Sequence, residues 1–353
     1  MKKKTLSLTL TIVSVILIFL ALSWAQDNLD PYTRRILNLI AINAIWAIAF
    51  NLVYGYTGQF TLGHAGFAAI GAYVVALVTM SADQKVQNFF VTDIIAPLAN
   101  FQVPFLAALV LAGLVTAFLG YLIAFPSLQF RGDYMAIVTL GLAEIIRVVN
   151  MNLQSVTNGS LGLKGIPGNT TLLWSFGCLI VTVLFVKKLM TTSYGRAFKA
   201  IRDDELAAGA TGISVFKHKL MAFTVSAFFV GIGGGLYAAL ISTIDPNLFT
   251  FLLSYQVVTI VVLGGVGSIT GNLIGSTLYI SLFEILRPLD QAIPLGPITI
   301  PGVPGMRLVI FSILFMFVII FYRRGLMGTN EFSWEWMLTK LGLWRSESLE
   351  AQK

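Results

Sequence analysis

Two oppositely charged residues interrupt an apolar stretch of the sequence. Glu144 and Arg147 lie three residues apart, so a helix through 134–149 would place both side chains on one face. Charges within a membrane are costly and usually face the interior of a helix bundle. The two residues either neutralise each other, which we favour, or contact a substrate. A proton relay would need more carboxylates at this depth, and Glu284 is the only other one.

A glycine-rich segment at 55–63 separates two further apolar stretches. It carries three glycines, two threonines and a glutamine. Such residues at membrane depth favour unwound backbone, which is tolerated where it packs in protein or lines a cavity. The segment is either a cytoplasmic turn with a tight helix interface or a broken helix beside a translocation path. In the second interpretation the path residues are Gly58, Gln59, Thr61 and His64.

A second glycine cluster lies in the other half of the chain, at Gly264, Gly265 and Gly267. Glycine-interrupted segments in corresponding positions are typical of internal repeats in transporters, although the two clusters match poorly residue by residue. We add these three glycines to the residues of the candidate translocation path or gate. Four glycines between 231 and 235 lack the spacing of a nucleotide-binding motif and predict close helix packing instead.

The longest charged stretch between apolar segments is the loop 187–219. Residues 196–210 are rich in strong helix formers, and Ala197, Ile201 and Ala208 would share one side of a single helix. A charged neighbouring side carries the acidic run 203–205, and Gly209 or Gly212 would end the helix. The segment is either a helix that docks into a groove on another protein or a solvated amphipathic loop.

The chain has no sequence pattern for catalysis. It contains no Walker A motif, no metalloprotease motif and no nucleophile elbow. Its single cysteine and two histidines exclude a cysteine-rich metal site. We therefore expect no cofactor and no enzymatic activity, so any energy from ATP must come from a partner.

The elements that position these residues are membrane helices. Of 353 residues, 57% are hydrophobic and only 11% charged, whereas soluble domains carry about 25% charged residues. Continuous apolar runs favour helices over a barrel. Ten candidate spans follow, at 5–24, 36–54, 64–81, 103–125, 134–149, 169–186, 220–242, 252–270, 273–286 and 306–322.

Lysine and arginine positions set the orientation. Most of the 23 basic residues fall on one side when the N-terminus is placed inside. We expect an all-α polytopic membrane protein in a bacterial inner membrane, with about ten transmembrane helices, glycine-rich broken or re-entrant segments and both termini cytoplasmic. The net charge of +7 is then a topology signal, and no nucleic-acid partner is needed. The first span has a second interpretation as a cleaved signal peptide.

The chain divides into one transmembrane domain, 1–325, and a cytoplasmic amphipathic tail, 326–353. Apolar residues of the tail recur at helical spacing, which favours a helix lying in the membrane interface over a helix that faces a partner. They are Trp334, Met337, Leu338, Leu341 and Trp344.

Five stretches together resemble the LivM-type permease subunits of branched-chain amino-acid ABC importers. They lie at 58–73, 131–140, 157–167, 195–213 and 262–268, and in order and spacing they cover about residues 35–325. Two departures from the family pattern, Gln-Phe-Thr-Leu at 59–62 and Asn-Gly-Ser at 158–160, bear on substrate identity.

The resemblance implies a transport function and a set of partners. The partners are a second, homologous permease, two cytoplasmic ATP-binding subunits and a periplasmic or extracellular substrate-binding protein, in a lipid bilayer. Segment 195–213 would be the coupling motif that moves when the ATPases close, so that the bundle opens alternately to each side. The residues at its recurring positions are Gly195, Arg196, Asp203, Asp204, Glu205, Ala207, Ala208 and Gly212.

Three other functions stay open at this stage. Related permeases carry urea or other small amphipathic solutes, so leucine, isoleucine and valine are a preference. A secondary transporter or channel working alone is suggested by the broken helices and by the pair Glu144–Arg147. A membrane-embedded enzyme is disfavoured because catalytic clusters are missing.

Overall fold

The chain folds into a bundle of helices with a few very short strands. The computed structural model describes residues 2–130, 132–290, 293–295, 298–300, 305–322 and 324–331. The helices of this part of the chain are α1 (Lys2–Asn28), α2 (Pro31–Thr57), α3 (His64–Thr79), α4 (Ala82–Asn88), α5 (Ala96–Ala99), α6 (Phe105–Ser127), α7 (Asp133–Asn152), α8 (Gln154–Thr157), α9 (Leu172–Thr191), α10 (Ser193–Asp203), α11 (Glu205–Ala210), α12 (Val215–Ile241), α13 (Phe251–Gly264), α14 (Ile269–Ile285) and α15 (Met306–Phe321).

Each predicted span overlaps one of these helices. Within the described residues, six segments are long and apolar enough to cross a membrane, namely α2, α6, α7, α9, α12 and 269–290. The apolar helices α3, α13 and α15 are shorter. The predicted span 252–270 extends too far, because α13 ends at Gly264 and a turn of four residues precedes α14. The chain is therefore a mostly helical protein with several membrane-length helices.

Helices α2, α3, α6 and α12 form the centre of the bundle. Their close packing depends on small residues, as the sequence predicts. A side chain on Gly71 would collide with the backbone of Gly231, and one on Gly234 would collide with Ala68. Between α2 and α12, Trp46 Nε1 donates a hydrogen bond of 3.2 Å to Val230 O. The glycines of α12 are thus packing residues.

One end of the bundle is covered by an ordered cap. The strands β1 (Leu163–Lys164) and β2 (Thr243–Ile244) pair antiparallel, with Leu163 opposite Ile244. Lys85 on α4 is buried and donates to Leu98 O at 2.8 Å and Phe101 O at 2.7 Å. Burial lowers the pKa of the Lys85 ammonium. The strands β3 (Ile293–Leu295) and β4 (Ile298–Ile300) form a second antiparallel pair.

The segment after α15 turns back onto the bundle. Leu326 N donates to Leu263 O at 2.9 Å, and Met327 N donates to Gly264 O at 3.0 Å. Glu331 then accepts from the backbone N–H groups of Ile269 at 2.6 Å and Thr270 at 3.1 Å, at the start of α14. The apolar tail residues predicted at 334–344 lie outside the described residues, as does Arg131.

Candidate functional site

The first glycine-rich segment leaves α2 and returns into the bundle as irregular backbone. Gly58 has φ 71° and ends α2 in the left-handed region, which glycine adopts without strain. A Cβ built on Gly58 would lie 3.5 Å from the Cα of Arg202 on α10. Six residues later, His64 lies beside Ser226, about 17 Å along α12 from its start at 1.5 Å per residue. The segment thus reaches well inside the bundle.

Side-chain hydroxyls hold this irregular backbone in place. Leu62 N donates to Thr139 Oγ1 of α7 at 3.0 Å, and Ser254 Oγ of α13 donates to Leu62 O at 2.8 Å. Ala65 N donates in turn to Ser254 Oγ at 3.0 Å. Backbone groups away from water need such partners. The structure therefore has unwound backbone packed in protein, and its place beside a translocation path stays a prediction.

The polar residues of this segment are buried. Gln59, Thr61 and His64 are at most 3% exposed. The Ser226 hydroxyl donates to Ala49 O at 2.7 Å, so His64 Nε2 is the donor to Ser226 Oγ across 3.3 Å. Nδ1 of His64 is left without a hydrogen-bond partner among the described residues. His64 thus ties α3 to α12.

The second glycine cluster forms the turn between α13 and α14. Gly265 and Gly267 have φ 128° and 89°, which side-chain-bearing residues rarely adopt. Gly264 lies against Gly271, and an added Cβ there would collide with the Gly271 carbonyl. This contact brings α13 and α14 together where the turn closes.

The two glycine segments meet. A Cβ on Gly55 would lie 2.6 Å from Gly267 N. The same Gly267 N–H donates to Asn51 Oδ1 of α2 at 2.8 Å. Two segments about 210 residues apart in the sequence are therefore joined at one end of the bundle.

Arg202 connects the charged loop to this junction. Its Nη1 donates to Gly55 O at 3.2 Å, and the same atom lies 3.5 Å from the Cβ position of Gly267. Its Nη2 pairs with Asp203 at 2.8 Å. The residue at the end of α10 thus contacts both glycine segments.

The predicted single helix 196–210 is wrong, because the chain forms two helices that meet at Asp204. Asp204 is extended (φ −157°, ψ 112°), and its Oδ1 accepts from Leu206 N at 2.8 Å and Ala207 N at 3.0 Å. An aspartate that caps a new helix competes with continuation of the old one. Glu205, the first residue of α11, pairs with Lys219 of α12 at 2.6 Å.

Buried small residues hold α10 and α11 against the bundle. A Cβ on Gly195 would collide with the backbone of Met190, and Ala208 is 4% exposed. Gly212 follows α11 with φ 87°, and Ile213 N donates back to Ala208 O at 3.2 Å. Exposed positions face away from the bundle, at Arg196, Asp203, Asp204, Leu206 and Ala207.

The predicted charged pair lies on α7, apart from the junction. Arg147 Nε donates to Glu144 Oε2 at 2.6 Å, and the two side chains are 25% and 38% exposed. The prediction that the two residues lie on one helical face is confirmed. Both side chains stay partly exposed at the outer face of the helix.

Sequence reasoning missed several residues that hold the junction. Arg202, Asn51 and Glu331 each act through a contact between distant parts of the chain, so no local spacing marks them. The one available signal was the position of Arg202 beside the acidic run. Among the described residues, no group of three histidine, cysteine, aspartate or glutamate side chains is placed to hold a metal ion.

Comparison with known proteins agrees with this architecture. The high-affinity branched-chain amino acid permease LivM of Escherichia coli is 33% identical over 311 residues, covering 78% of this chain and 68% of LivM. LivH of Salmonella typhimurium is 25% identical over 250 residues, covering 66% of this chain and 77% of LivH. The ribose import permease RbsC of Haemophilus influenzae is 24% identical over 273 residues, covering 72% and 77%.

No solved structure matches the chain. A family model described as the permease component of branched-chain amino acid transport systems matches residues 32–321. That match spans most of the bundle, including both glycine segments and the loop between α9 and α12. The chain therefore belongs to the family of branched-chain amino acid transport permeases.

Proposed function

We propose that this chain forms half of the translocation path of an ABC importer for branched-chain amino acids. The observation that carries the proposal is the contact of Arg202, at the end of the loop helix α10, with both glycine segments. A movement imposed on the loop is thereby transmitted to irregular backbone inside the bundle. The similarity to LivM supports the substrate class.

The proposal includes a topology and a set of partners. The chain crosses a bacterial inner membrane about ten times, with both termini and the loop 187–219 in the cytoplasm. A second, LivH-like permease supplies the other half of the path, and two ATP-binding subunits dock on the loop from the cytoplasm. A periplasmic or extracellular binding protein delivers the substrate at the opposite end.

The exposed side of the loop is the proposed contact with the ATPases. Leu206 is 77% exposed and projects from the bundle with Ala207 and Arg196, whereas Ala208 of the same helix is buried. Apolar residues beside charged ones at a helix junction suit insertion into a groove on a partner. Closure of the ATPase dimer would then move α10 and α11 as a unit.

The proposed mechanism is alternating access at the junction. The glycine contacts Gly55–Gly267 and Gly264–Gly271 allow the helix ends to approach without intervening side chains. Displacement of Arg202 would loosen the first of these contacts and let the end of α2 separate from the α13–α14 turn. The path residues would be Gly58, Gln59, Thr61, His64 and Glu144 at this stage of the cycle.

Reconstitution tests this function directly. We expect ATP-dependent uptake of labelled leucine into liposomes that hold this chain, its partner permease and both ATPases, with the binding protein added on the substrate side. Uptake of urea and of ribose is measured in the same assay to test the alternative substrates. Ribose is included because of the similarity to RbsC. Leucine uptake by this chain alone, without an ATPase, would support a secondary transporter and contradict the proposal.

A further inference from the structure

A cavity of about 380 Å³ lies at the end of the bundle that carries the charged loop. It is lined by the end of α2, the first glycine-rich segment and the first turns of α7, α11 and α12. Its volume is within the range of small-molecule sites. Its lining combines polar and charged groups with the apolar side chains of Tyr54, Phe60 and Met135.

One of the lining residues, Gln59, is oriented by a fixed chain of hydrogen bonds. Gln59 Nε2 donates to Thr57 Oγ1 at 2.7 Å, and the Thr57 hydroxyl itself donates to Val53 O at 2.6 Å. Because the only hydroxyl proton of Thr57 is used in this bond, Thr57 can only accept from Gln59. The nitrogen of the Gln59 amide must therefore face Thr57, and the oxygen must point the other way. Oε1 of Gln59 is buried without a partner among the described residues. This oxygen has almost no accessible surface, so the ligand contacts are assigned to the charged groups of the cavity and not to Gln59.

Charged groups of both signs line the same cavity. Asp133, the first residue of α7, contributes a carboxylate. Lys219 contributes an ammonium group, which donates one hydrogen bond of 2.6 Å to Glu205. A lysine ammonium has three donors, so Lys219 can bind a second anion. The cavity therefore offers acceptors, a cationic donor and an apolar surface together.

We propose that this cavity binds the zwitterion of an aliphatic amino acid from the cytoplasmic side. The ligand's ammonium group donates to Asp133, while its carboxylate binds Lys219. Its side chain packs against Tyr54, Phe60 and Met135. The inference rests on the proposed function for the orientation of the chain and for the class of amino acid.

Occupancy of the cavity has a consequence for the loop. The ligand's carboxylate shares the Lys219 ammonium with Glu205 and so weakens their ion pair. Glu205 is the first residue of α11, in the proposed ATPase contact. Binding at high internal concentration weakens the tie between α11 and α12. Amino acid that has accumulated inside is thereby sensed at the surface where the ATPases dock.

Equilibrium binding of labelled L-leucine to the purified complex of permeases and ATPases tests the proposal. The binding protein and ATP are omitted, so that neither delivery nor turnover contributes. We expect saturable binding that leucine displaces, whereas 4-methylpentanoate and 3-methylbutylamine, which lack one charge each, compete at least about tenfold more weakly. Absence of saturable binding in a complex that transports leucine overturns this inference and leaves the proposed function intact.

Two variants of the ion pair provide opposite expectations. Lys219→Met removes the cationic donor and should weaken leucine binding about tenfold or more. Glu205→Gln removes the competitor for Lys219 and should strengthen binding. Lys217→Met, an exposed residue of the same helix outside the cavity, is the matched control with unchanged binding. Equal weakening in both pair variants shows a structural role for the pair and overturns the site.

The role of the Asp133 carboxylate is tested in the same assay. Asp133→Asn should weaken binding of leucine but leave the weak competition by 4-methylpentanoate unchanged, because that ligand has no ammonium group. Asp83→Asn, at an exposed position in the first turn of α4, is its control. Wild-type affinity in Asp133→Asn contradicts the assigned orientation of the ligand.

Discussion

At the scale of single residues, a few polar side chains determine where irregular backbone lies. Ser254 bonds to both sides of the turn at Leu62, and Asn51 holds Gly267 against α2. Arg202 links the loop to Gly55. Each contact joins segments that are distant in sequence, so the loss of one side chain changes the relation between two elements.

Arg202→Met should uncouple the loop from the glycine junction. The variant loses the 3.2 Å bond to Gly55 O but keeps a side chain of similar length. We expect leucine uptake to fall about tenfold, since a hydrogen bond from a charged donor contributes roughly 1.5–3 kcal/mol, while the ATPases still copurify. Lys188→Met, exposed near the end of α9, serves as the control. Full uptake in Arg202→Met would remove the central link of the proposal.

Glu205→Lys should abolish transport while the protein still inserts in the membrane. The substitution places two cations together at the 2.6 Å pair with Lys219 and reverses the charge at the proposed ATPase contact. The double variant Glu205→Lys with Lys219→Glu separates these effects, because it restores an ion pair within the chain. We expect no recovery of uptake. Wild-type uptake and ATPase docking in the single variant would count against the coupling assignment.

At the scale of elements, the hydrophobic pattern of the sequence is sufficient to predict a helix where burial alone determines the structure. Each apolar run of membrane length overlaps a helix, because an apolar segment satisfies its backbone most simply as a helix. The loop shows where this reasoning ends. Helix formers from 196 to 210 predict one helix, yet Asp204 caps a second one, since side-chain capping competes locally with propensity. The junction at Gly55 and Gly267 depends on tertiary contacts and could not be predicted.

Gly264→Leu should block transport by overpacking the α13–α14 contact. An added side chain collides with the backbone of Gly271, which cannot rotate away as a side chain would. Overpacking of this kind costs about 1–3 kcal/mol, so we expect a lower melting temperature in detergent and loss of uptake. Gly177→Leu on α9, where no atom lies within 4 Å of the Cβ position, is the matched control. Retained uptake in Gly264→Leu would show that the second glycine cluster serves only as a turn and is not part of the gate.

At the scale of the whole molecule, α7 presents a face that lipid cannot satisfy. Glu144 and Arg147 are partly exposed there, and charges facing hydrocarbon are costly. Beside the pair, α7 carries an exposed stripe at the spacing of a helix–helix seam, formed by Tyr134, Ile137, Gly141, Ile145 and Val148. No atom lies within 4 Å of the Cβ position of Gly141. We infer that the partner permease packs along this face, with the charged pair towards the path.

A thiol placed at Gly141 should report this interface. In a background with Cys178 changed to serine, Gly141→Cys meets no steric obstacle. We expect a charged methanethiosulfonate reagent to label it in the isolated chain, because the Glu144–Arg147 pair draws water to this face. Labelling should fall several-fold in the assembled complex, as the partner permease covers the position. Mass spectrometry of the intact chain measures both states.

The matched control is Val181→Cys on α9. Val181 is 61% exposed and lines an apolar groove of α1, α6, α9 and α12, so we assign it to lipid. The reagent reacts with the cysteine thiolate, which forms only where water reaches the thiol. This position should therefore label poorly with or without the partner. If Gly141→Cys labels equally in the chain and in the complex, α7 is not the shared face. The two halves of the path would then have to meet along another helix, and Glu144 and Arg147 would need a water-filled cavity within this chain alone.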